Sequence, residues 1–151
     1  MAQTHTDSQV TYREKVSPSP AMWVLIAVAA VSTAAMVLPV WTLGAFILPV
    51  VTFALLAWWL RSLGITIIVT GRQLFVGDAH IDRAFLGGVE ALGIEAAREA
   101  RGTGLDARAF LVLRPWVKTA VRIDIDDASD PTPYWLVSSR HPEELAAALR
   151  A

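Results

Sequence analysis

The chain has no cysteine. That absence excludes structural disulfides, thiolate-held zinc and thiol nucleophiles together. Histidine is scarce: His5, His80 and His141 stand far apart, and none opens a HExxH or comparable ligand spacing. An excess of charge of either sign is missing too. The formal net charge is -1 over 151 residues, so no basic field draws nucleic acid towards the protein. The most informative absence is local. From Val16 to Leu60 there is no Asp, Glu, Lys, Arg or His. A charged side chain at the centre of a bilayer costs roughly 2.5–3.5 kcal/mol on insertion scales, so crossing segments avoid them. One crossing helix needs only about 20 residues, and this run is more than twice that length.

Pro39, Trp41, Thr42 and Gly44 near the middle of the run supply turn chemistry. The reading is a hairpin of two transmembrane helices, about 21–38 and 43–60, after an N-terminal segment 1–20. Pro18 and Pro20 suit a helix entry, where a missing N–H costs little. Trp23, Trp41, Trp58 and Trp59 fall near the expected helix ends, where indole rings favour the interface. Arg13 and Lys15 precede the hairpin, Arg61 follows it, and the turn carries no charge. The positive-inside rule then puts both termini in the cytoplasm, in a multi-pass protein of the plasma (inner) membrane. A cleaved signal peptide has an apolar core of about 7–15 residues and no second span directly behind it, which does not match. Ala30 and Ala34 share a face of the first helix. Small residues there suit close contact with the second helix of the same chain, or a seam between copies.

Beyond Arg61 the apolar period changes. Ile65–Val69, Arg72–Val76, Ala79–Asp82 and Val89–Leu92 read as short strands separated by Thr70-Gly71, Gly77-Asp78 and Gly87-Gly88. Residues 94–101 read as a short helix ended by Gly102 and Gly104. Ala109–Leu113 is apolar on both faces and is expected at the centre of a sheet. Val121, Ile123 and Ile125 alternate with Arg122, Asp124 and Asp126, giving a half-buried strand, and Tyr134–Val137 follows. Pro142–Arg150 is an amphipathic helix, with Glu143 and Glu144 at its positive end. The fold class is therefore an α+β membrane protein. Its hairpin is followed by a small antiparallel β domain, residues 61–151, of about seven strands and a closing helix.

That order and length of elements resembles the pleckstrin-homology-like fold. A more specific resemblance rests on Tyr12-Arg13-Glu14-Lys15, on the segment from Arg114-Pro115-Trp116 to Arg122, and on the segment from Asp130-Pro131-Thr132-Pro133 to Arg140. These runs look like an actinobacterial family of two-span membrane proteins, domain of unknown function 3093, and the likeness extends from about Thr11 to the end. The resemblance implies a two-span membrane protein and brings no catalytic residues.

Among possible sites, Asp124, Asp126, Asp127 and Asp130 read as a solvated strand face and turns, since the glycine and distal Glu of a calcium loop are missing. Gly102-Thr103-Gly104 follows a helix instead of opening one; Arg98, Arg101 and Arg108 flank it, so anion contact is an alternative to a plain connection. The first hairpin turn offers only Arg72, too little basic charge for headgroup recognition. Arg114, Trp116 and Lys118 form the candidate interaction surface, an aromatic flanked by two cations after a proline turn; the competing reading packs Trp116 in the core. No catalytic, cofactor or metal residue is assigned. The expected function is a non-enzymatic, membrane-anchored interaction or scaffold module that binds a protein or itself. The alternative is a lipid or small-molecule binding protein at the inner face of the membrane.

Overall fold

The computed structural model describes residues 9–151; His5 lies outside them. Ser17–Gly64 forms one compact unit, and the chain before and after it forms the other.

The first unit is a helical hairpin. Helix α1 is Pro20–Val37, entered from an extended Ser19 with proline in its first turn. Helix α2 is Gly44–Ser62, with Pro49 inside it. Both are long and apolar enough to cross a membrane, and both ends agree with the sequence reading to within two residues. Gly44 is required by close approach: a Cβ there would collide with the Trp41 ring. Ile26, Ala57 and Leu60 are buried together, with Met22, Trp23, Leu56 and Leu63 packed around them. The Arg61 guanidinium sits 5.4 Å from the centroid of Trp23, a cation–π contact that joins the last turn of α2 to the first of α1. Ala30 is buried within the hairpin, as expected for a small residue at a helix contact.

Among the described residues the second unit holds eight strands and two α-helices. Strands β1 (Val10–Val16), β2 (Ile65–Thr70), β3 (Gln73–Val76) and β4 (Ala79–Asp82) form one antiparallel meander in that order. Gly77, at φ +62, makes the β3–β4 turn that a side chain would strain. After a 3-10 turn at Arg83–Phe85 comes the second sheet, built from β5 (Leu86–Leu92), β6 (Phe110–Val112), β7 (Ala120–Ile125) and β8 (Tyr134–Ser138) in the order β5-β7-β8-β6. Helix α3 (Ile94–Arg101) lies between β5 and β6 in sequence, and α4 (Pro142–Arg150) closes the chain.

Strict two-residue alternation divides the residues of the second sheet. Val121, Ile123, Trp135 and Val137 join Val16, Ile65, Ile67, Val69, Leu74 and Val76 of the first sheet, with Leu145, Ala146 and Leu149 of α4, in the main core. Ala120, Tyr134 and Leu136, on the other face, pack with Leu92 and with Ala97 of α3. Strand β8 is thus buried on both faces along its whole length.

Two features differ from the sequence reading. The segment before the hairpin is not separate from the β domain: β1 pairs with β2 from Val10↔Thr70 to Val16↔Ile65. Tyr12, Glu14 and Val16 are the inward residues of that strand, while Arg13 and Lys15 are exposed. The run at 109–113 is an edge, not a centre. Only Phe110–Val112 is strand, and it pairs in parallel with β8, so the second sheet is not purely antiparallel. Its apolar residues are divided: Val112 packs against the main core, Ala109 and Leu113 against the cluster around Leu136, and the Phe110 ring lies 4.7 Å from Trp135, whereas Leu111 stays 40% exposed. Its three-residue length limits the open edge.

Candidate functional site

Arg114, Trp116 and Lys118 occupy the connection from β6 to β7. The Arg114 backbone N–H donates to Ser138 Oγ at 3.0 Å, which ties the start of the connection to β8. Its guanidinium Nη1 donates to the Leu113 carbonyl at 3.1 Å, while Nε is buried without an acceptor. Trp116 is half-buried against the main core, and its indole N–H is also buried without an acceptor. An orphaned donor of this kind costs about 1–3 kcal/mol, which packing of the ring must offset. Lys118 is exposed, and its carbonyl accepts a hydrogen bond from Arg101 Nη2 at 2.6 Å. Within the segment, then, Trp116 is turned to the core and Lys118 to solvent.

The Arg101 bond joins two stretches that are apart in the sequence. Ile94, Glu95, Arg98 and Arg101 of α3, together with Lys118, line one open pocket of about 370 Å³. By contrast, Arg108 turns to Asp106, with Nη2 and Oδ2 3.0 Å apart and two further hydrogen bonds to Oδ1. These bonds hold the Asp106 carboxyl below the usual carboxylate range.

A second polar cluster was not singled out as a site in the sequence. Glu14 is 7% exposed, and its carboxylate accepts from Ser139 Oγ (2.6 Å), the Arg140 backbone N–H (2.8 Å) and Tyr12 Oη (3.0 Å). Ser139 is fully buried, and its Oγ in turn accepts from the His141 N–H at 3.1 Å. Burial, and then the neighbouring Glu14 carboxylate, push the Tyr12 phenol well above its usual value. The signal for this cluster was the two-residue spacing of Tyr12, Glu14 and Val16, which marks one face of a strand. The cluster latches β1 to the turn before α4; every group in it is satisfied within the protein.

The remaining candidates have structural roles. Asp127 accepts from the N–H and Oγ of Ser129, and Asp130 from the Thr132 N–H, both as turn residues. Asp124 pairs with Arg122, whose guanidinium lies 4.1 Å from the Tyr134 ring centroid. Among the described residues no group of three or more His, Asp or Glu converges on a point that could hold a metal ion. His80 stacks on Phe75, and His141 precedes α4 as its N-cap without a side-chain capping bond. An open groove of about 710 Å³ runs along Thr70–Gln73 and Asp82–Ala84. Its Arg83 is committed to the Leu149 and Thr70 carbonyls, and its Gln73 to Asp82.

A family model described as "Protein of unknown function (DUF3093)" matches residues 11–149. No curated protein and no solved structure matches the chain.

Proposed function

Since the chain belongs to the DUF3093 family of proteins of unknown function, we propose that it is a membrane-anchored, non-enzymatic interaction module. In this reading a pleckstrin-homology-like domain is held on the cytoplasmic face of the plasma membrane, where it binds another protein or a second copy of itself. The observation that carries the reading is the pairing of Val16 with Ile65. The apolar hairpin leaves a sheet at one strand and returns to it at the next, so the folded domain has an anchor built into its own framework. Two spans return the chain to the side it left, as pairing of β1 with β2 requires. Arg13, Lys15 and Arg61 beside an uncharged turn favour the cytoplasm for that side.

A four-stranded meander, a second sheet containing antiparallel β5, β7 and β8, and a closing helix packed on the core support the pleckstrin-like description. Tethering raises the effective concentration of the domain for anything at the same surface, so a modest contact is enough for binding. The short open edge at β6, with Phe110 and Leu111 exposed, and the following segment to Lys118 supply backbone groups, apolar surface and a cation for that contact.

A photo-crosslinking residue in place of Leu111, in the full chain in its native membrane, tests the proposal. The expected product is a discrete protein adduct, either to a second copy or to one other chain. Adducts to lipid alone, with a crosslinker on the exposed β1 face behaving identically, would overturn it.

A further inference from the structure

We propose that the pocket between α3 and the β6–β7 connection binds a phosphate monoester group. This goes beyond the tethering reading and stands without it. Ile94, Arg98 and Arg101 fall on one face of α3 by their spacing of four and three, beside the stripe that buries Ala97. Lys118 reaches the same pocket from another element, held there by the hydrogen bond from Arg101 to its carbonyl. Three cations thus line a space of about 370 Å³ with one carboxylate, Glu95.

Complementing the negative end of the helix accounts for arginines in the last turn of α3. It does not account for Lys118, which is outside the helix. Nor does the fold use the charges of Arg98 and Lys118. Among the described residues the Arg98 and Lys118 side chains have no hydrogen-bond or ion-pair partner, and Arg101 spends Nη2 on a carbonyl while its Nε has no acceptor. The balance of the pocket is two positive charges. A phosphate monoester carries about −1.5 to −2 near neutral pH and offers three acceptor oxygens, which matches both the charge and the donors. The group belongs either to the headgroup of a lipid such as phosphatidic acid or to a soluble phosphomonoester.

The test uses the full chain. In nanodiscs of phosphatidylcholine it is titrated calorimetrically with inorganic phosphate. In detergent it is offered phosphatidic acid against phosphatidylglycerol, an anionic lipid without a phosphomonoester, and retained lipid is counted by native mass spectrometry. Saturable phosphate binding, preferential retention of phosphatidic acid, or both, is expected. The double variant Arg98→Gln/Lys118→Gln should weaken it about tenfold or more, a difference of about 1.4 kcal/mol. Lys118→Gln alone should act in the same direction, and Arg13→Gln/Lys15→Gln should leave binding unchanged. Phosphate binding alone identifies a soluble ligand, and phosphatidic acid alone a lipid. Absence of saturation with both probes, or a double variant that binds like the wild type, overturns the proposal.

Discussion

At the scale of single residues, the best-defined interaction of the β domain is Glu14. A carboxylate this buried is stable only when donors surround it, and here a hydroxyl, a phenol and a backbone N–H do so. Glu14→Ala would leave Ser139 Oγ–H and the Arg140 N–H without an acceptor, at a cost of about 2–4 kcal/mol. Glu14→Gln keeps one acceptor oxygen and should cost roughly half as much. Hydrogen exchange on the full chain reads this directly: protection should fall along β1 and at residues 139–141 together. Loss at β1 alone would show that the latch to α4 carries no energy. Trp116 is the opposite case. The sequence left open whether it anchors a partner or packs inward, because an aromatic beside Arg and Lys suits both. The structure seats much of its ring on the core and leaves Lys118 as the exposed member of the segment.

At the scale of elements, what could be read from the sequence depended on whether a pattern was local. Helix α3 at 94–101, helix α4 at 142–150 and the ends of α1 and α2 were visible because caps, prolines and glycines mark them within a few residues. Strand β1 has the two-residue pattern, but its partner lies beyond the hairpin, so nothing nearby announces a sheet. Strand β6 misled for the same reason: apolar composition does not say how many neighbours a strand has. The Arg98–Arg101–Lys118 pocket could not be assembled in advance, since one hydrogen bond across the fold brings its halves together.

The β1–β2 pairing leads to a prediction at this scale. A chain in which Ser17–Gly64 is replaced by an Asn-Gly turn should fold as a soluble, β-rich domain, because Val16 and Ile65 are already register partners. The fragment Arg61–Ala151 lacks β1, uncovers the β2 edge and loses the Glu14 latch. It should be markedly less stable and prone to associate. Circular dichroism and gel filtration compare the two. Equal stability of both chains would mean that β1 contributes little.

For the whole molecule, the tethered reading makes a claim about sides. Alkaline phosphatase fused after Ala151 should be inactive, and the same enzyme inserted between Trp41 and Leu43 should be active; the reverse pattern would invert the topology. The split between β1 and β2 also has a consequence for how such a protein is made. The first strand is synthesised early and has no partner until the whole hairpin has followed it, a wait on the order of seconds at ordinary synthesis rates. In the tethered reading its sheet closes only if Val16 and Ile65 end on the same side of the bilayer. A chain with one helix left out strands Val16 and Ile65 on opposite faces, where no contact within the domain can rescue them. In that reading the strand pair works as a topological checksum: a completed sheet excludes an odd number of membrane crossings.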